Sequence, residues 1–97
     1  MKMINEYSFG HFIKTRRIEL NLTQEQLGEQ LGVTAAAISK YENEKGYPDI
    51  VMMKTLSDAL LVYPGLLTEL VYYQSKGEEL TENEYESMLA RANEYGR

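Results

Sequence analysis

The stretch LTQEQLGEQLGVTAAAISKYEN, residues 22–43, has the pattern of two short helices joined by a tight turn. Thr23 is a candidate N-cap for the first helix, and Gln26 three residues later completes a capping-box pattern. Gly32 follows the first helix, where a tight turn requires a positive φ. Thr34 then provides a cap for the second helix. These residues predict a helix–turn–helix unit.

The second helix of this pair is expected to leave one face to solvent. Helical spacing turns Ala37, Ile38 and Tyr41 inward. The residues that remain on the outer face are small or polar, with one base among them. They are Ala35, Ala36, Ser39, Lys40 and Asn43. An exposed face with small side chains and one cation is typical of a helix that enters a DNA major groove.

Helices are also predicted on both sides of this unit. Before it, Phe9, Ile13 and Leu20 recur at helical spacing, and Asn21 suits a left-handed helix end. After it, Asp49 is a candidate cap for a fourth helix, and Pro64 suits the first position of a fifth. The apolar positions expected to face inward are Ile50, Met53, Leu56, Ala59 and Leu60 on the fourth helix and Leu67, Leu70 and Val71 on the fifth.

The last third of the chain predicts one more helix. Residues 75–79 form a break, and Thr81 with Glu84 gives a second capping-box pattern. The apolar stripe that follows comprises Tyr85, Met88, Leu89 and Ala92. We therefore predict an all-α protein, with a five-helix domain over residues 1–74 and an extra C-terminal helix in an acidic segment over residues 75–97.

Composition excludes several classes of function. The 97 residues contain no cysteine and a single histidine, His11, so disulfides, thiolate zinc sites and paired histidine ligands are absent. Neither a nucleophile–base pair nor a metal cluster can be assembled from these residues, so we expect no enzyme, no cofactor and no metal. No apolar run reaches the roughly 18 residues that a membrane span needs, and no signal-peptide pattern is present. We expect a cytoplasmic protein without membrane contact.

The net charge of −5 by itself argues against a nucleic-acid partner. The charge is unevenly distributed, however. Residues 1–65 carry seven Lys and Arg against eight Asp and Glu, a net −1, and residues 66–97 carry three against seven, a net −4. The first two-thirds of the chain can therefore still present a basic face.

The sequence resembles the Cro/repressor-type (Xre-type) helix-turn-helix regulators of phages and bacteria. The residues that carry the resemblance are Ile13, Lys14, Arg17, Leu22–Gly28, Leu31–Thr34, Ile38–Asn43, Pro48 and Leu56–Leu60. It covers roughly residues 9–67. The chain departs from the family in three places, because Gly28 stands where alanine is usual, Leu61 where a glycine often ends the helix, and Ala35-Ala36 where many relatives have Gln, Arg or Ser.

The resemblance implies a transcriptional regulator, expected to be a repressor, that binds double-stranded DNA sequence-specifically. It implies a homodimer on a palindromic operator, with the third helix in the major groove. The DNA-binding residues that it implies are Arg17, Thr23, Gln24, Thr34, Ala35, Ala36, Ser39, Lys40, Asn43 and Lys45. Lys40 is the expected charged base reader, Arg16 or Arg17 and Lys45 are expected near phosphates, and Arg17 is expected to pair with Glu42. The two alanines predict modest sequence specificity or a contribution from DNA shape.

Two alternatives remain open from the sequence. In the first, the protein resembles an antitoxin, in which the helix-turn-helix core regulates its own promoter while residues 75–97 bind a protein partner. In the second, residues 75–97 fold back on their own domain and do not form a dimer contact. The acidic character of the segment fits either case, because it is expected to lie away from phosphate.

Overall fold

A computed structural model describes residues 8–76 together with residues 83, 84, 86, 87 and 90. Residues 8–76 form five helices, and no strand occurs among the described residues. The helices are α1 (Phe9–Glu19), α2 (Gln24–Leu31), α3 (Ala35–Glu42), α4 (Ile50–Leu60) and α5 (Pro64–Ser75). The all-α prediction is confirmed. Within the described part of the chain, no helix is long and apolar enough to cross a membrane.

The core is a single apolar cluster that draws on all five helices. Its buried members are Phe9, Phe12, Ile13, Leu27, Leu31, Ile38, Met53, Leu56, Leu60, Val62, Leu66, Leu67 and Leu70. Ile38 is fully buried and is the one member that α3 contributes. Burial of a side chain of this size stabilises the fold by about 1.5–3 kcal/mol, so Ile38 fixes α3 against the rest of the domain.

The helix starts predicted at Thr23, Thr34 and Asp49 are confirmed, and Ser8 caps α1 in the same way. Ser8, Thr34 and Asp49 each accept a hydrogen bond from the backbone N–H three residues ahead. Thr23 and Gln26 form the reciprocal capping box, with distances of 3.0 and 2.9 Å. These bonds satisfy N–H groups that a helix start otherwise leaves without a partner.

Gly28 lies where α2 approaches the backbone of the following turn. A β-carbon at this position would lie 2.6 Å from the carbonyl oxygen of Val33 and 3.2 Å from that of Thr34. These neighbours are backbone atoms, which cannot turn aside as a flexible side chain can. The glycine therefore allows a closer approach than the alanine usual in the resembling family, which offsets its low helix propensity.

Leu61 ends α4 in the left-handed conformation, with φ 60° and ψ 42°. Its N–H donates to Asp58, the N–H of Val62 donates to Ser57, and the side chain of Val62 is buried. This is the helix ending in which glycine is usual, because a side chain costs about 1–2 kcal/mol there. The departure from the family at Leu61 therefore takes the form of backbone strain, and the chain still turns into α5 at Pro64.

One expectation about the apolar faces needs correction. Ile50 was predicted to face inward, but it is 83% exposed, because it begins α4 at the edge of the domain. On α5 the predicted inward positions are confirmed, since Leu67 and Leu70 are buried and Val71 packs against the core. Leu66 is also fully buried, and Tyr72 faces solvent.

The predicted sixth helix lies mostly outside the described residues. Asn83, Glu84, Glu86, Ser87 and Ala90 are helical and exposed. Thr81 and the predicted apolar stripe of Tyr85, Met88, Leu89 and Ala92 fall among the residues that the structure does not describe, so the role of the stripe remains a prediction.

Candidate nucleic-acid interface

The outer side of α2 and α3 brings together most of the residues predicted to contact DNA. Thr23, Thr34, Ala36, Lys40, Asn43 and Lys45 are exposed, Gln24, Ala35 and Ser39 are partly buried, and Arg17 is buried. We call the exposed and partly buried members the recognition surface. It runs from the N-termini of α2 and α3, along α3, to the loop that follows.

The turn between the two helices fixes their relative orientation. Gly32 ends α2 with φ 77°, and the N–H of Val33 donates to the carbonyl of Gly28 at 2.9 Å. Ile38 then anchors α3 from its inner side. As a result, the outer face of α3 stands on a helix whose position both the turn and the core determine.

A buried ion pair joins α1 to the C-terminal end of α3. Arg17 Nε donates to Glu42 Oε2 at 2.6 Å and Arg17 Nη2 donates to Glu42 Oε1 at 3.2 Å, so the predicted pair is confirmed. The third nitrogen of the guanidinium, Nη1, donates to the carbonyl of Leu22 at 2.8 Å. Two parallel bonds to one carboxylate fix the direction of both side chains.

Gln24 joins the same carboxylate from α2. Its side-chain amide donates to Glu42 Oε1 at 3.0 Å. The carboxylate of Glu42 on α3 is therefore bonded to Arg17 on α1 and to Gln24 on α2. Among the described residues, no buried side-chain nitrogen or oxygen lacks a hydrogen-bond partner, so this polar cluster is fully satisfied.

The two arginines expected near phosphates both have partners within the domain. Arg17 is only 8% exposed in its pair with Glu42. Arg16 Nε donates to the carbonyl of Leu60 at the end of α4 at 2.8 Å, and its Nη1 lies 3.4 Å from Glu19. A cation at a helix C-terminus is favoured by the helix dipole. Within α3 and the loop up to residue 47, the exposed cations are Lys40 and Lys45.

The structure also joins two residues that sequence analysis treated separately. Asn43 Nδ2 donates to the carbonyl of Ser39 at 2.9 Å and to its hydroxyl at 3.2 Å. The spacing of four residues between two polar side chains at a helix end is the signal that could have predicted this contact. Through it the amide of Asn43 is held against the last turn of α3.

The described residues contain no group of three His, Cys, Asp or Glu side chains that could hold a metal ion. His11 lies exposed on α1.

The two helices, the left-handed turn and the exposed face of α3 define a helix-turn-helix domain. Comparison with known proteins agrees, because the family model described as helix-turn-helix matches residues 13–67. The chain belongs to the Cro/repressor-type (Xre-type) helix-turn-helix family of DNA-binding transcription regulators.

Individual relatives come from several bacteria. The HTH-type transcriptional activator BcrR of Enterococcus faecalis is 49% identical over 49 residues, which cover 50% of this chain and 24% of BcrR. The HTH-type transcriptional repressor RghR of Bacillus subtilis is 40% identical over 73 residues, which cover 73% of this chain and 54% of RghR. The chain thus spans at most about half the length of these relatives.

A solved structure shares the fold. The P22 c2 repressor, crystallised in complex with a synthetic operator in the presence of Tl⁺, superposes with a TM-score of 0.60 and 35% sequence identity. The match covers 62% of this chain and 91% of that one.

The buried pair gives a direct test of how α3 is held. We expect Arg17→Met or Glu42→Gln to lower the free energy of unfolding by about 3–5 kcal/mol, because each leaves a buried polar group without its partner. The double variant should be more stable than either single variant. Urea unfolding followed by circular dichroism measures these differences.

Lys54 and Asp58 form the matched control, since they are an exposed pair at 2.9 Å on α4. Lys54→Met and Asp58→Asn should change the free energy of unfolding by only about 0.3–0.5 kcal/mol through their interaction. A double variant of Arg17 and Glu42 that is less stable than both single variants would show that the buried pair does not hold the helices.

Proposed function

We propose that the protein is a sequence-specific regulator of transcription that inserts α3 into the major groove of a palindromic operator. The observation that carries this proposal is the outer face of α3, where Ala36 and Lys40 are exposed while Ile38 and Glu42 are buried on the inner side. The protein acts by binding, in the cytoplasm, and carries out no catalysis.

Base reading is assigned to four residues of α3. The ammonium group of Lys40 is a donor that suits the O6 and N7 acceptors of guanine, and the hydroxyl of Ser39 suits either a donor or an acceptor. The methyl groups of Ala35 and Ala36 suit the 5-methyl group of thymine. With one charged reader and two alanines, the protein depends on DNA shape for part of its preference.

Phosphate contacts are assigned to the rim of the recognition surface. Thr23, Gln24 and Thr34 lie at the N-termini of α2 and α3, where backbone N–H groups and the helix dipole favour an anion. Asn43 and Lys45, in the loop after α3, are also assigned to phosphate contacts. We assign Arg17 a positioning role, because its three nitrogens are bonded to Glu42 and Leu22.

A dimer makes this small surface sufficient for an operator. Half-sites one DNA turn apart have centres about 34 Å from each other. The described residues extend over 34 × 33 × 24 Å, so two copies fit side by side on one face of the duplex. We assign residues 75–97 to the contact between them. Repression follows when such a dimer covers a promoter, although the relatives include both an activator and a repressor.

Lys40 gives the test of the recognition surface. Lys40→Ala should weaken binding to a preferred duplex, selected from a random pool, by about 1–3 kcal/mol and relax base preference at one position, because the contact to guanine is lost. Fluorescence anisotropy with the selected and a scrambled duplex measures both effects.

Lys54→Ala is the control, since it removes the same charge from the exposed face of α4. It should leave base preference unchanged. If Lys40→Ala binds the selected and the scrambled duplex as the wild type does, α3 is not the reading helix.

Truncation after Ser75 tests the dimer. The shortened domain should stay folded, become monomeric and lose affinity for the palindrome by about 100-fold. The reason is that each monomer then binds its half-site independently, whereas in a dimer binding of one subunit holds the other near the second half-site. Light scattering and anisotropy measure mass and affinity. A full-length chain that is monomeric at high micromolar concentration with and without DNA contradicts the dimer. Capture of a small toxic protein by residues 75–97 would favour the antitoxin alternative.

A further inference from the structure

The geometry points to Glu44 as a positioning residue for DNA binding, which holds the loop after α3 by tying it to α1 and α5. This role rests on the proposed function, because it concerns Asn43 and Lys45, which flank Glu44 in the chain and are assigned to phosphate. We assign Glu44 itself no contact with DNA. No motif or periodicity in the sequence marks this residue.

The carboxylate of Glu44 bonds to three other parts of the domain. Its Oε2 accepts a hydrogen bond from the backbone N–H of Gly10 at 2.6 Å. Its Oε1 accepts from the side-chain amide of Gln74 at 3.1 Å and from the hydroxyl of Tyr47 at 3.2 Å. Gln74 in turn accepts from the N–H of Phe9 at 2.6 Å through its own amide oxygen. We call Glu44, Gln74 and these two N–H groups the clasp.

The clasp supplies the N-terminus of α1 with partners from distant parts of the chain. Ser8 caps the third N–H of the helix, and the first two N–H groups, on Phe9 and Gly10, are bonded to Gln74 and Glu44. A carboxylate at a helix N-terminus also interacts favourably with the helix dipole. Gly10 allows the start of α1 to approach the end of α3 closely, because a β-carbon at this position would collide with the carbonyl oxygen of Glu42.

The backbone at Glu44 indicates that the side chain is needed at this position. Glu44 has φ 60°, in the left-handed region where a residue after a helix end is usually glycine. The N–H of Lys45 donates to the carbonyl of Lys40 at 2.8 Å, so the strained residue lies inside the turn that ends α3. Strain of this kind persists where surrounding contacts hold it, and the clasp provides those contacts.

Tyr47 adds a further hydrogen bond to the carboxylate at the surface of the domain, where Glu44 and Tyr47 are both exposed. Its ring packs edge-on against Phe9, with 5.3 Å between the ring centroids. Burial raises the pKa of the Tyr47 hydroxyl, with further contributions from the negative charge of Glu44 and the hydrogen bond to it. The hydroxyl therefore stays a donor to Glu44 at neutral pH.

The sign of the effect on DNA binding separates positioning from plain electrostatics. Glu44 is an acid between two residues assigned to phosphate, so Coulomb repulsion alone predicts that its neutralisation tightens DNA binding. The clasp predicts the reverse. An amide at position 44 places its NH₂ group against that of Gln74, one of the clasp bonds is lost, and the loop is no longer held.

The experiment is a swap within the clasp of the full-length chain, measured by anisotropy on the selected duplex at several salt concentrations. Glu44→Gln and Gln74→Glu should each weaken binding about fivefold or more, and the double variant should return to within about twofold of the wild type. In the double variant the amide at position 44 donates to the carboxylate at position 74, and each accepts one of the two N–H groups. The total charge is that of the wild type.

Glu25→Gln is the matched control, because it neutralises an exposed acid in the first turn of α2. It should tighten binding slightly, by about twofold or less, as loss of repulsion requires. Circular dichroism checks that each variant is folded at the temperature used. If a single variant is unfolded, the comparison of the double variant with the wild type decides the question.

Two results overturn the role of Glu44 while leaving the proposed function intact. One is a Glu44→Gln variant that binds as tightly as the wild type or more tightly. The other is a double variant that does not recover. If the wild type itself binds no duplex, the proposed function fails and this role fails with it.

Discussion

The carboxylate of Glu42 is the point on which the arrangement of the first three helices depends. It lies buried at the end of α3, accepts two hydrogen bonds from Arg17 on α1 and accepts a third from Gln24 on α2. A carboxylate in this position is costly without full compensation, so α3 is stable only where both partners reach it. The ion pair and the buried side chain of Ile38 thus constrain α3 at its end and at its middle, and the outer face between them becomes a surface of defined geometry.

Much of the fold could be predicted from local signals. The N-caps at Thr34 and Asp49, the capping box of α2, the positive φ at Gly32 and the proline at the start of α5 depend on residues within a few positions of each other. The inward positions of α3 followed from helical spacing, and Ile38 is fully buried. The position of Ile50 did not follow from it, because spacing alone cannot indicate that the first turn of α4 lies at the edge of the domain.

The site could be predicted only in part, for a different physical reason. The pairing of Arg17 with Glu42 came from the family resemblance and was confirmed. The bond from Arg16 to the carbonyl of Leu60 spans 44 residues. The bonds from Glu44 to Gly10 and to Gln74 span 34 and 30 residues. Helical periodicity relates residues only a few positions apart, so it cannot predict these contacts. The positive φ at Glu44 is likewise invisible in a sequence that offers no glycine there.

These contacts also explain how an acidic chain can present a surface suited to DNA. Arg16 and Arg17 serve the domain internally, and Lys40 and Lys45 remain exposed on α3 and its loop. A surface with few cations gains little from unspecific attraction to phosphate and has to derive more of its affinity from shape and fit. That is consistent with a protein in which the positions of α3 and of the following loop are each fixed by hydrogen bonds to other helices.

DNA binding by the face of α3 is tested most directly by the change in backbone amide chemical shifts when the selected duplex is added to the isotope-labelled protein. We expect the largest changes at the N-termini of α2 and α3, along α3 and in the loop through Lys45. Residues on the exposed face of α4 around Lys54 and Asp58 should change little. Changes centred on α4 or α5, with α3 unaffected, would contradict the claim that the face of α3 held by Glu42 is the surface that binds DNA.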